Sequence, residues 1–283
     1  MRHLPLGERQ KLTTYRKIAL ASWHHPRDPS TYSWIDLPVE AAEAFLKSLP
    51  DEPRPTLTHL VAKIIAQCLQ KHPDLDHIQR LGNLQRRGRT DVYVTTLLKG
   101  KGSLDLSGFT LPDVPGKTLG ELAKISQDAV EALREGSDSV TARTDAVVEK
   151  MPVWLLKLVM RLQNYFQYTL NLSLRPLGIP DDRFGSVIIS NFGPLGLENG
   201  LVPLSPYCRC PLMIGMGKPR PIPYVEGDSI VVKECICLTL TFDHRYADGA
   251  HGAQLMRLFQ KMFLNPEKYL GSSRSQDEGA AAG

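Results

Sequence analysis

Long apolar runs are the first thing missing from this 283-residue chain. No stretch of about 18 uncharged apolar residues occurs, so the hydropathy pattern offers no helix able to cross a bilayer. The opening residues MRHLPLGERQKL lack the apolar centre of a secretory signal, and a cytoplasmic location is the expectation. Cysteine is scarce as well. Five residues, an odd number, argue against a disulfide framework and for a reducing compartment. Cys208 with Cys210 and Cys235 with Cys237 form Cys-x-Cys pairs, a spacing tighter than structural zinc ligands use. Cys235 and Cys237 instead read as small, half-buried neighbours on one face of a strand, and no metal is expected. Nor is charge of one sign concentrated, with 34 Lys and Arg against 30 Asp and Glu. Apart from Arg86-Arg87-Gly88-Arg89 the cations are scattered, which leaves nucleic-acid binding without its usual basic stripe.

What is present fits an ordinary globular protein. With 42% hydrophobic residues the chain can bury a core, and its length suits one α/β domain over residues 1–270. The Gly-, Ser- and Ala-rich tail, 271–283, has a composition that stays disordered. Val39, Ala42, Phe45, Leu46 and Leu49 fall at helical spacing, and residues 50–55 are rich in breakers. Thr56 or Thr58 is placed to cap a second helix carrying Leu60, Ile64, Ile65, Cys68 and Leu69, which stops before His72-Pro73. His59 and His72 read as helix-end and surface residues, since neither has a partner at ligand spacing. Residues 90–98 read as a strand, and Leu119, Leu122, Ser126, Ala129, Val130 and Leu133 as the helix after it.

The most informative stretch is 238–252, LTLTFDHRYADGAHG. Leu238, Leu240 and Phe242 alternate with Thr239 and Thr241, the period of a strand with one buried face. Beyond Gly249, residues Leu255, Leu258, Phe259, Met262 and Phe263 take up helical spacing. His244 therefore stands where a strand runs into a loop, a place from which a rigid scaffold can present an imidazole to a cleft. The Asp-His-Arg-x-x-Asp-Gly form of this element resembles the catalytic domain of dihydrolipoamide acyltransferases. These are the core components of 2-oxo acid dehydrogenase complexes, similar in fold to chloramphenicol acetyltransferase. The resemblance extends to Arg16-Lys17-Ile18-Ala19, to the His-Pro-x-Leu exit at His72, to Gly185-Ser-Val-Ile-Ile-Ser-Asn-Phe-Gly-Pro-Leu-Gly196, to Ser205-Pro206 and to Met213-Ile-Gly-Met-Gly217. The pair His24-His25 does not reproduce the His-His-x-x-x-Asp-Gly centre of peptide-condensation domains, because Asp28 comes too soon and Pro29 stands in place of Gly.

The resemblance implies a two-layer α/β sandwich with a mixed sheet and helices on one side. It further implies an acyltransferase that moves an acyl group between coenzyme A and a thiol acceptor such as dihydrolipoamide. The residue types suit that chemistry. A thiol with a pKa near 8.5 is barely ionised at neutral pH, so transfer between thiols calls for a base, and neutral imidazole fits the task. His244 is the candidate base. Ser190 matches the family's oxyanion-stabilising hydroxyl, with a local cap or turn role open beside it. Asp248 matches the residue that holds the histidine loop through an arginine, a part Arg16 could play, and it is equally placed to cap the helix after Gly249. Asn191 and Gly249 complete the supporting set.

Two departures stand out. The family carries a Gly-Leu-Val-Val-Pro-Val-type run where this chain has Gly102-Ser-Leu-Asp-Leu-Ser-Gly108. Residues 136–182 form an insertion in which Leu155, Leu158, Val159, Leu162, Phe166 and Leu170 share one helical face, with Lys157, Arg161, Asn164 and Tyr168 on another. A helix packed on its own trimer is the expectation, with membrane-surface contact through 151–170 or a wall for a long acyl chain as functional alternatives. No lipoyl-lysine module precedes the core, so a lipoyl-bearing or other thiol carrier is expected on another chain. The resemblance also implies a homotrimer in which the His loop of one subunit faces the Ser segment of its neighbour. The polar tail favours free trimers over a larger cubic core. The alternative from a different class is a catalytically silent homologue that scaffolds an assembly. The joint presence of His244, Ser190 and Asp248 weighs against it.

Overall fold

The computed structural model describes residues 28–271 apart from 51, 52, 82, 100–103, 135–150, 206 and 207. Arg16, His24, His25, Pro206, most of the tail and the first part of the insertion lie outside the described residues. Period-two apolar runs build one mixed sheet. Its spatial order is β1 (Ser30–Pro38), β9 (Ser229–Asp243), β7 (Leu212–Met216), β6 (Val187–Asn191), β4 (Val92–Lys99) and β5 (Leu104–Leu111), with β8 (Arg220–Glu226) also paired to β9. β6 runs parallel to β4 and β7, whereas β9 is antiparallel to β1, β7 and β8. A separate hairpin, β2 (His77–Arg80) and β3 (Asn83–Arg86), lies off the sheet.

The helices α1 (Glu40–Lys47), α2 (Leu57–Lys71), α3 (Leu119–Arg134), α5 (Gly249–Phe263) and α6 (Pro266–Leu270) join one face of the sheet in a single core. Val92, Val94, Val187, Ile189, Leu212, Ile214, Leu238 and Leu240 point into that core because each is two residues from the next on its strand. α2 is central, with Leu60, Val61, Ala62, Ile64, Ile65 and Ala66 all buried, as expected of a helix apolar nearly all round. Thr56, rather than Thr58, is its N-cap. The reciprocal partner is His59, whose Nδ1 accepts the Thr56 N–H at 2.9 Å.

The sheet's other face carries no described helix but is not bare. Tyr93, Ile188 and Met213 form a second apolar cluster with Cys208 and Cys210, which belong to the irregular chain between β6 and β7. This corrects the expectation of one buried face on β9. Thr239 and Thr241 are buried too, their hydroxyls donating to the Gly200 and Val202 carbonyls at 2.7 and 2.6 Å. Cys235 and Cys237 are likewise buried more deeply than the expected half. Where the sequence departs from the family's run at 102–108, the chain still forms β5, antiparallel to β4.

The insertion is less helical than expected over its described part. α4 (Val153–Asn164) continues as a single π turn, Tyr165–Thr169, and only a 3-10 turn, Arg175–Leu177, follows before β6. Its apolar face is real but points to solvent, with Trp154 69%, Leu158 48% and Leu162 47% exposed. Tyr168, expected on a polar face, is buried. No helix among the described residues is long and apolar enough to cross a membrane.

Candidate active site

Asp243, the last residue of β9, organises the loop that carries His244. Its buried carboxylate accepts the Arg245 N–H at 2.9 Å and the Arg245 guanidinium at 2.6 Å, while its carbonyl accepts the N–H groups of Tyr246 and Ala247. Such charge-assisted bonds to one buried carboxylate fix a short loop firmly. His244 itself is exposed, anchored by its N–H to the Pro29 carbonyl at 2.8 Å. Tyr246 ties the loop to the β2–β3 hairpin, its hydroxyl accepting the Gln79 N–H at 3.0 Å.

Asp248 is the N-cap of α5. One carboxylate oxygen accepts the N–H groups of Ala250 and His251 at 2.9 and 3.1 Å and lies 2.7 Å from His251 Nδ1. The His251 N–H holds the carboxyl below its usual range. Of the two readings of Asp248, the cap is the one that the described residues display, and Arg16 lies outside them. Gly249 starts the helix in open space, so nothing among its neighbours demands glycine there.

Ser190 lies on the helix-free face of β6, level with Thr95 on one side and Gly215 on the other. The Thr95 hydroxyl donates to Ser190 Oγ at 3.2 Å, an arrangement that leaves the serine's own hydrogen to donate elsewhere. Gly215 is needed beside it, because the site is closely packed and a Cβ there would run into the Thr239 hydroxyl and the Phe192 ring. Asn191 points the other way. It donates to Thr58 Oγ1 at 3.1 Å and accepts the Gly193 N–H at 3.0 Å, pinning the end of β6 to α2.

Strand register shows how far apart the two principal candidates are. Ser190 is level with Gly215, and Gly215 with Thr239. His244 lies five residues beyond Thr239, about 17 Å along the strand, and the two strand-to-strand steps add about 10 Å across. Within one chain, then, Ser190 and His244 stand near opposite ends of the sheet, on the order of 20 Å apart. The structure positions each but does not bring them together.

The remaining titratable candidates are structural. His59 is a helix-end residue as expected, but it is buried, with Nε2 2.9 Å from Ser126 Oγ, and burial pushes its pKa down to about 4. Burial pushes the Cys68 and Cys210 thiols up to about 12, far from the low values of reactive thiolates. Among the described residues no three His, Cys, Asp or Glu side chains gather as a metal group would require. Sequence reasoning passed over Asp243, Arg245, Tyr246 and Thr95. The first two were legible within Asp-His-Arg, whereas the contacts of Tyr246 and Thr95 are long-range and leave no local signal.

Comparison with known proteins places this architecture. Residues 163–271 match the family model of the 2-oxoacid dehydrogenases acyltransferase (catalytic domain), which bears out the resemblance carried by the motifs. The chain is 32% identical over 82 residues to the dihydrolipoyllysine-residue acetyltransferase component of the pyruvate dehydrogenase complex of Rhizobium meliloti. It is 33% identical over 82 residues to that of Rickettsia felis. Each match covers 29% of this chain and 18% or 19% of the relative, so it spans about a fifth of those proteins. Among solved structures, a probable dihydrolipoamide acetyltransferase from Listeria monocytogenes superposes with a TM-score of 0.60 at 12% identity, covering 91% of this chain and 94% of that one. An Azotobacter vinelandii dihydrolipoamide acetyltransferase, studied for the catalytic roles of a serine, a histidine and an asparagine, gives 0.60 at 16% identity, covering 95% and 99%. The fold is that of these cores.

Proposed function

We propose that this chain transfers an acyl group between coenzyme A and a thiol acceptor such as dihydrolipoamide, with His244 as base and Ser190 as oxyanion donor. His244 takes the proton of the attacking thiol, the sulfur bonds to the thioester carbonyl carbon, and the carbonyl oxygen becomes an oxyanion to which Ser190 donates. Collapse breaks the original carbon–sulfur bond, and the leaving thiolate recovers the proton from the imidazolium. Asp248 caps the helix behind the loop. Its place four residues after His244 matches the step between the histidine and the asparagine studied in the Azotobacter vinelandii protein.

The observation that carries the reading is the pairing of an exposed His244 on a tightly bonded loop with a Ser190 hydroxyl whose hydrogen remains to be donated. Their separation is accommodated by a homotrimer, in which the His loop of one subunit faces Ser190 of the next. A panel of acyl-coenzyme A thioesters assayed against dihydrolipoamide and simple thiols tests the proposal. Transfer that His244→Ala lowers by about a hundredfold or more supports it. Coenzyme A binding by calorimetry without transfer for any pair would refute it in favour of a silent scaffold.

A second reading concerns residues 151–170, where the exposed apolar row of α4 lies beside the exposed cations Lys157 and Arg161. Contact with an anionic membrane surface is the function that this pattern favours.

A further inference from the structure

The run of cations Arg86-Arg87-Gly88-Arg89 is not used by the acyl-transfer reading. It lines a cleft of about 700 Å³ between the β2–β3 hairpin and residues 167–182. Five arginines and three aspartates line this cleft, and the pairing among them is informative. Arg87 pairs with Asp182, Arg89 with Asp91 at 2.6 Å, and Arg175 with Asp181 at 2.7 Å. That leaves two positive charges uncompensated. Arg80 spends its donors on neutral groups, the Gln85 side chain and the Tyr168 and Thr169 carbonyls. Arg86 is exposed and makes no ion pair among the described residues.

A second observation points the same way. The Arg87 side chain is only 5% exposed, yet its Nε has no acceptor, and Asp182 Oδ1 has no donor. Buried polar atoms in native structures are rarely left unmatched without a reason. Asn171 and Asp182, both in the cleft wall, also hold φ at 57° and 30°. Non-glycine residues in that region are uncommon and cluster where function maintains them.

We propose that this cleft binds the phosphate group of an anionic ligand, with Arg80 and Arg86 supplying the charge that balances a phosphate dianion and Arg87 forming the floor. Guanidinium forks match phosphate oxygens in pairs, and the cleft volume falls in the range of small-molecule sites. The phosphate could belong to a soluble compound or to a lipid headgroup, since α4 and its exposed apolar face lead directly into the cleft wall. The inference does not rest on the acyl-transfer reading, and its test does not measure transfer.

The full chain is titrated calorimetrically with pyrophosphate at low salt. Saturable binding is expected, weakened about tenfold or more in Arg86→Ala and in Arg80→Ala, as for loss of one charge-assisted contact. Arg86 is exposed and has no ion pair among the described residues, so its variant should keep the wild-type melting temperature and remain a fair test even where Arg80→Ala does not. Absence of pyrophosphate binding, or equal binding by Arg86→Ala, overturns the proposal. A parallel arm uses phosphatidylglycerol vesicles. Competition between vesicles and pyrophosphate assigns the phosphate to a lipid headgroup, and pyrophosphate binding without vesicle association assigns it to a soluble compound.

Discussion

Mixing two inactive variants should restore activity, and the register of the sheet says by how much. His244→Ala alone should lower turnover by about two orders of magnitude or more. Ser190→Ala should lower it by about two to three. About 20 Å separates the two groups in one chain, far beyond the ~3 Å reach of a general base, so on the proposed mechanism each complete site draws them from different chains. In a ring of subunits assembled at random from equal amounts of the two variants, about one interface in four pairs an intact His244 with an intact Ser190. Co-refolded mixtures should therefore recover about a quarter of wild-type turnover per chain, with the acceptor and acyl-coenzyme A saturating. A control sharpens the argument. Wild type mixed equally with the double variant should also give about a quarter if the site is shared, but about a half if each chain holds its own. Mixtures that stay at the level of the single variants would refute the shared site.

His59 makes stability depend on pH. Burial holds its folded pKa at about 4, below the ordinary value of 6.5, so the unfolded chain takes up the proton first. Stability is full above about pH 6.5 and falls as pH drops toward 4, by on the order of 2 kcal/mol at pH 5, a loss that His59→Ala should remove from urea midpoints compared at pH 7 and 5. Tyr246→Phe leaves the Gln79 N–H without its acceptor and should cost about 1 kcal/mol of stability. If Tyr246 also positions His244, kcat should fall while KM stays put, and an unchanged kcat would limit the residue to a structural role.

Legibility followed the range of the forces involved. α2 and α5 were readable because caps and 3.6-residue spacing are local, and the loop at His244 because a strand, a turn residue and a helix meet within a dozen positions. The β2–β3 hairpin was not anticipated. His77–Arg80 and Asn83–Arg86 are four residues each and mostly polar, too short to show a period. The second buried face of β9 is set by the covering chain at Gly200 and Val202, some forty positions away, so Thr239 and Thr241 looked solvent-facing. The candidate site divides in the same way. Where His244 and Ser190 sit on their own elements was plain, whereas their placement near opposite ends of the sheet depends on β6, β7 and β9 pairing across some fifty residues of intervening chain.

The insertion offers a case where exposure decides between readings. Around α4 and its π turn, Trp154, Leu158, Val159, Leu162, Tyr165 and Phe166 are all exposed, a contiguous apolar surface of the kind that soluble monomers seldom leave uncovered. Lys157 and Arg161 lie beside it, and no acidic residue occurs between 151 and 180. Leu158→Asp removes a side chain that the chain's own core does not hold, so the expected loss of folding stability is within about 0.5 kcal/mol. The same change places a charge in the middle of the apolar row and should abolish sedimentation with anionic vesicles, while Lys157→Gln should weaken it by about 1 kcal/mol. Light scattering on the same samples follows assembly. A fall in mass for Leu158→Asp, with vesicle binding absent even in the wild type, would assign the row to a second copy of the chain. A large drop in melting temperature would instead mean that α4 is held by its own subunit, and the membrane reading would then have lost the observation on which it stands.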